Sequence, residues 1–85
     1  MSEDIELLKK KIIYKSSYRG IKELDIILRS FVSKYLDKLN LEELNDLIEF
    51  LDNNDEDIYK FKQGIKIMKN IKNNNITNLF RNFEI

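Results

Sequence analysis

Leu39-Asn40-Leu41-Glu42-Glu43-Leu44-Asn45-Asp46-Leu47-Ile48-Glu49-Phe50-Leu51 holds the clearest helix start in this 85-residue chain. Asn40 is a residue type whose side chain caps the free amides of a first turn, and Glu43, three residues on, can reach back to the cap amide. Leu39, just before the cap, is positioned to pack on Leu44 as a hydrophobic staple. Leu44, Leu47, Ile48 and Leu51 recur at three and four residues and make one apolar stripe, while Glu42, Glu43, Asp46 and Glu49 take the other face. The stretch predicts a helix with one side to bury.

The same periodicity extends in both directions. Upstream, Leu24, Ile27, Leu28, Phe31 and Tyr35 stripe a long helix expected from about Gly20 to Leu36. Before it, Ser2 is placed to cap a first helix with Glu3, Asp4 and Glu6 in its opening turn, Ile5, Leu8 and Ile12 on its inner face, and Lys9, Lys10 and Lys11 further on. Ser16-Ser17 closes that helix. Downstream, Asp52-Asn53-Asn54-Asp55 is dense in turn and capping residues, so a short fourth helix begins near Asn54 or Asp55 and stops at Gly64. Its Tyr59 and Phe61 are two positions apart and point about 200° from each other, so only one of them faces the core. Ile65, Met68 and Ile71 could form a further stripe, which Asn73-Asn74-Asn75 interrupts, and Asn75 is expected to cap a last helix with Leu79, Phe80 and Phe83. With no proline and no internal repeat, the chain reads as all-α: a small single-domain bundle of four to five short helices over residues 1–85.

Composition narrows the function classes. Lys plus Arg and Asp plus Glu both number 15, and 42% of residues are apolar, as in an ordinary globular chain. The absence of cysteine and histidine removes disulfides, thiolate ligands and the commonest general base. An enzyme acting alone is therefore not expected, and neither is a metal site: the Asp52 to Asp57 cluster lacks the glycine and terminal glutamate of a calcium loop. Residues 37 to 57 carry nine acidic side chains against one lysine, whereas residues 58 to 85 carry six cations against one acid. The acidic side would repel phosphate backbones, so no nucleic-acid partner is expected. No apolar run approaches the roughly 20 residues of a membrane span, so no membrane partner is expected either. The acidic start Ser2-Glu3-Asp4 is unlike an import sequence, which gives a bacterial cytoplasm as the expected location.

Tyr18-Arg19-Gly20-Ile21-Lys22-Glu23-Leu24-Asp25 carries one of the two glycines, between two amphipathic segments. Gly20 marks either a close approach of another backbone or ligand, or a bend between helices. Glu23 suits a first helical turn in any case, and Arg19 read alone is a surface cation. Taken together, Arg19-Gly20-x-x-Glu23-Leu24-Asp25 resembles the motif of the succinate dehydrogenase assembly factors that promote flavinylation. Asp55-Glu56-Asp57-Ile58-Tyr59-Lys60-Phe61 looks like that family's second hallmark, and Leu79-Phe80-Arg81-Asn82-Phe83 is similar to its tail. The family commonly has a second arginine where this chain has Tyr18, and tryptophan where it has Phe61, which keeps an aromatic plane without the indole donor.

The resemblance implies a helical factor that binds the succinate dehydrogenase flavoprotein subunit, and the fumarate reductase flavoprotein as a further candidate. It would promote covalent attachment of FAD to a flavoprotein histidine by positioning rather than by its own chemistry. FAD then belongs to the partner: the chain has no glycine-rich phosphate loop and is expected to bind no cofactor tightly. The implied partner-binding residues are Arg19, Gly20 and Glu23, with Asp57, Tyr59 and Phe61 as a second part of the surface, and no catalytic residue. A monomer is expected when free. The alternative is a small regulatory or antitoxin-like protein that binds another protein or nucleic acid, for which the basic C-terminal third speaks.

Overall fold

The computed structural model describes residues 2–64 and 71–85, with side chains from residue 4 onward within those ranges. Among the described residues there are five α-helices and no strand: α1 (Ser2–Lys15), α2 (Lys22–Tyr35), α3 (Leu41–Leu51), α4 (Asp55–Lys62) and α5 (Asn75–Asn82), with a short 3-10 turn at Leu36–Lys38 after α2. The all-helical bundle is as expected. The capping role of the Ser2 side chain and the Ile65 and Met68 part of the last stripe lie outside the described side chains.

Local chemistry sets most of the helix ends. Asn40 Oδ1 accepts from the Glu43 N–H at 2.8 Å and Glu43 Oε1 accepts from the Asn40 N–H at 3.0 Å, so the reciprocal cap forms as read. Ser16 and Ser17 both donate their hydroxyls to the Ile13 carbonyl and close α1. Gly64 takes a left-handed φ of +81° just past α4, and its N–H donates to the Phe61 carbonyl. Two starts differ from expectation. α5 is capped by Asn74, not Asn75: Asn74 Oδ1 accepts from the Thr77 N–H at 2.9 Å, while Thr77 Oγ1 accepts from the Asn74 N–H at 3.0 Å. α2 begins at Lys22, after an extended Ile21 (φ −105°, ψ 117°) with no capping side chain, so Gly20 is in the loop and not in the first helical turn.

α3 is the central element, with α1 and α5 packed on it; α4 meets α5 and α2, and α2 closes on α1. A run of aromatic rings ties these helices together. Phe31 of α2 meets Phe80 of α5 edge-on at 5.3 Å, Phe80 meets Phe50 of α3 at 5.2 Å, and Phe50 meets Phe61 of α4 at 5.7 Å. Phe83, beyond the end of α5, still turns inward onto Phe31 at 5.4 Å. Aromatic pairs of this kind each contribute about 0.5–1.5 kcal/mol beyond the area they bury. With Ile12, Leu24, Leu28, Leu44, Leu47, Ile58 and Ile76 fully buried around them, the rings form one continuous core.

Candidate functional site

The loop between α1 and α2 is fastened to the start of α4. Asp55 is the first residue of α4, after the cap Asn54, whose Oδ1 accepts from the Asp57 N–H at 2.8 Å. The Asp55 carboxylate, instead of remaining over its own helix, reaches back to residues 35 and 36 positions earlier. Its Oδ1 accepts from Arg19 Nη1 at 2.9 Å and its Oδ2 accepts from the Gly20 N–H at 2.6 Å. Arg19 Nη2 donates to the Leu51 carbonyl at 2.8 Å, one of the carbonyls left open at the end of α3. The cation thus sits at a helix C-terminus and the carboxylate at a helix N-terminus, each where the helix dipole favours it. The Arg19 side chain is 11% exposed and that of Asp55 27%, so solvent screens this pair little.

This arrangement explains the glycine. A Cβ on Gly20 would lie 3.0 Å from Asp55 Oδ2, closer than carbon and a charged oxygen normally rest. Glycine at position 20 lets the carboxylate approach the amide without being displaced, and no unusual φ calls for it. The left-handed residue of the loop is Tyr18, at φ +59°. Its ring is 85% exposed, with the Arg29 guanidinium 5.7 Å from its centre.

A second link runs beside the first. Glu23, in the first turn of α2, accepts from the Tyr59 hydroxyl at 2.6 Å. That hydrogen bond, with lesser contributions from burial and from the Glu23 charge, raises the Tyr59 phenol above its ordinary value. Phe61 is the inward-facing aromatic of α4, at 6% exposure, with the Arg81 guanidinium stacked 4.4 Å over its ring. Asp57 is half-buried in the first turn of α4.

Arg19, Gly20, Glu23 and Tyr59 therefore meet at one junction, whereas Phe61 lies in the core. The donors expected of Arg19 toward a partner have acceptors within the chain here: Asp55 and the Leu51 carbonyl. Asp55 is not among the residues that sequence reasoning assigns to the site. An acid at the first position of a helix looks like a dipole residue, and only the fold shows that it holds the glycine loop. Among the described residues no group of histidine, cysteine or carboxylate side chains is arranged to hold a metal, and no helix is long and apolar enough to cross a membrane.

Comparison with known proteins matches residues 10–84 to the family described as flavinator of succinate dehydrogenase. Curated relatives carry the name succinate dehydrogenase assembly factor 2, mitochondrial. The Aspergillus flavus protein is 44% identical over 57 residues, covering 67% of this chain and 20% of its own length. The Saccharomyces cerevisiae protein is 41% identical over 58 residues, covering 68% of this chain and 36% of its own. The Candida glabrata protein is 33% identical over 85 residues, covering all of this chain and 52% of its own. The chain thus spans between a fifth and about half the length of these relatives. No solved structure matches.

These names overturn the expected bacterial cytoplasm, since the relatives are mitochondrial proteins of fungi. The acidic start carries no information on compartment, because the matched region is only part of each relative. The alternative of an antitoxin-like or nucleic-acid-binding protein is not favoured by these relatives either.

Proposed function

Because this chain belongs to the succinate dehydrogenase flavinator family, we propose that it binds the flavoprotein subunit of succinate dehydrogenase and promotes covalent attachment of FAD to a histidine of that subunit. The observation that supports this reading is the meeting of its two motifs: Asp55 of the second holds both Arg19 and Gly20 of the first. Two stretches 35 residues apart in sequence form one rigid surface element, as a docking module needs.

FAD, held by the partner, would supply the electrophile for the flavoprotein histidine, and its ring would take up the electron pair released as a carbon–hydrogen bond of the flavin gives way to the carbon–nitrogen bond and the protons leave. A chain without histidine or cysteine contributes no base or nucleophile of that strength. Its part is to hold the flavoprotein in a geometry where the reacting groups meet, which lowers the barrier without any bond to the helper. Gly20 keeps the loop thin, Glu23 and Tyr59 offer a paired carboxylate and hydroxyl beside it, and Asp57 lies in the first turn of the same helix as Tyr59. In this reading residues 1–85 act as one assembly-factor domain, monomeric when free, with the fumarate reductase flavoprotein as a second client and FAD held by the partner.

The test is in-gel flavin fluorescence of the denatured succinate dehydrogenase flavoprotein, produced with the chain, without it, and with Gly20→Arg. Covalent fluorescence that depends on the wild-type chain and fails with the variant is expected. Equal fluorescence in all three samples would remove the function.

A further inference from the structure

Tyr18 occupies a backbone conformation that L side chains rarely adopt, and its ring is turned almost wholly to solvent. Strain of this kind persists only where both flanks are fixed. Here they are. On the N-terminal side, the Ser16 and Ser17 hydroxyls are tied to the Ile13 carbonyl, and the Ser17 N–H to that of Tyr14. On the C-terminal side, Asp55 holds Arg19 and the Gly20 amide. A left-handed position after a helix is ordinarily filled by glycine. A tyrosine there gains nothing from core burial, and the contact of its ring with the half-exposed Arg29 guanidinium, 5.7 Å from the ring centre, offsets only part of the cost of the conformation.

The ring has company. Tyr14, 76% exposed, lines the same shallow surface groove as Tyr18. Lys10 and Lys11, four and three residues before Tyr14, fall on its face of α1; both are exposed and form no ion pair among the described residues. The groove also holds Asp52 and Asp55, but these carboxylates are paired within the chain, with Lys15 and Arg19. The charge beside the rings that has no ion-pair partner among the described residues is that of Lys10 and Lys11, so the surface complementary to the patch is apolar with an acidic rim.

We propose that Tyr18 is the aromatic anchor with which this chain engages the flavoprotein subunit, inserting its ring into an acid-rimmed apolar pocket of that partner. The proposal rests on the flavoprotein reading above and adds the residue that fixes the fit. Tyrosine offers large contact area at small entropy cost, and a preset loop lowers that cost further.

The experiment measures the affinity of the full chain for the purified succinate dehydrogenase flavoprotein, together with thermal melting, for wild type, Tyr18→Gly, Tyr18→Asn and Tyr18→Phe. Gly and Asn accept the left-handed conformation without the ring, and Phe keeps the ring. The expected result is a melting midpoint raised in Tyr18→Gly while affinity falls by about tenfold or more in both Gly and Asn variants. Tyr18→Phe retains most of the affinity, and added salt weakens wild-type binding through Lys10 and Lys11. Because stability and binding move in opposite directions, unfolding cannot mimic the result. Binding by wild type that Gly and Asn variants retain in full overturns the anchor alone. No binding by wild type overturns the flavoprotein reading and the anchor with it. Concentration-dependent dimerisation of wild type that Tyr18→Gly abolishes would assign the ring to a second copy of this chain and also overturn the proposal.

Discussion

The Gly20 amide and the Asp55 carboxylate are 2.6 Å apart, and a Cβ on Gly20 would stand 3.0 Å from the same oxygen, close enough that the carboxylate would have to give way. One carboxylate thereby couples the conformation of the α1–α2 loop to the first turn of α4.

Removing Asp55 leaves Arg19 largely buried and, among the described residues, with the Leu51 carbonyl as its remaining acceptor. Asp55→Ala is expected to destabilise the chain by about 2–3 kcal/mol, from the loss of charged hydrogen bonds and the stranded cation. Gly20→Ala alone should cost about 1 kcal/mol, since the carboxylate must shift by a few tenths of an ångström. In the double variant the alanine in place of Gly20 no longer meets an oxygen, so its cost should nearly vanish. Urea unfolding of the four proteins closes this cycle; strictly additive losses would mean that the two residues are not coupled.

The Tyr59 phenol is raised in the folded chain, first by its hydrogen bond to Glu23, then by burial and the Glu23 charge. The unfolded chain therefore loses this proton at lower pH than the folded one. The stabilisation is fully present below the ordinary phenol value of about 10 and is lost as pH rises through the folded value. Tyr59→Phe cannot show that loss. Urea midpoints of wild type should exceed those of Tyr59→Phe at about pH 7 to 9 by a gap that closes on going above about pH 10; a gap independent of pH would show that the hydroxyl acts only through packing.

The helices are legible because each has an apolar stripe and two of them, α3 and α4, have local start or stop chemistry that the sequence displays. Asn40 with Glu43, Asn54 before Asp55, and Gly64 after α4 all act on residues close by in the chain, where sequence order equals spatial order. The opposite orientations of Tyr59 and Phe61 follow from helical geometry in the same way. What escapes the sequence is non-local. Phe50 lies off the Leu44, Leu47, Ile48 and Leu51 stripe, yet it is buried, because α4 and α5 bring Phe61 and Phe80 to its ring. α2 starts later than its stripe suggests because Gly20, which resembles a first-turn residue, has its amide bonded to a carboxylate 35 residues away. The left-handed Tyr18 has no composition signal, since its conformation is imposed by bonds on either side.

Thr77 sits in a polar stretch of the sequence, but its side chain is buried at the start of α5. Its hydroxyl donates to the Lys72 carbonyl at 2.8 Å while accepting from the Asn74 amide at 3.0 Å. Thr77→Val keeps the shape and leaves both backbone groups without this partner. It is expected to cost about 1–3 kcal/mol, measured by denaturant unfolding. Thr77→Ser, which keeps the hydroxyl, should lose clearly less; equal losses would show that the methyl packing matters and the bonds do not.

Phe61 stands where the family pattern has tryptophan, and its surroundings say what that exchange would do. The ring is packed edge-on against Phe50 at 5.7 Å on one side and covered by the Arg81 guanidinium at 4.4 Å on another. Phe50 is fixed by the core, whereas Arg81 is exposed and can move. Phe61→Trp should therefore displace Arg81 rather than the core, with a loss of about 1–2 kcal/mol from overpacking. Arg81→Ala alone should cost up to about 1 kcal/mol through the lost cation–π contact. Added to Phe61→Trp, the same alanine should cost nothing or stabilise, because it vacates the volume the indole needs. Thermal melting of the two single variants and the double variant checks this; a double variant less stable than the sum of the single losses would mean that the larger ring is accommodated by the core and not by the arginine.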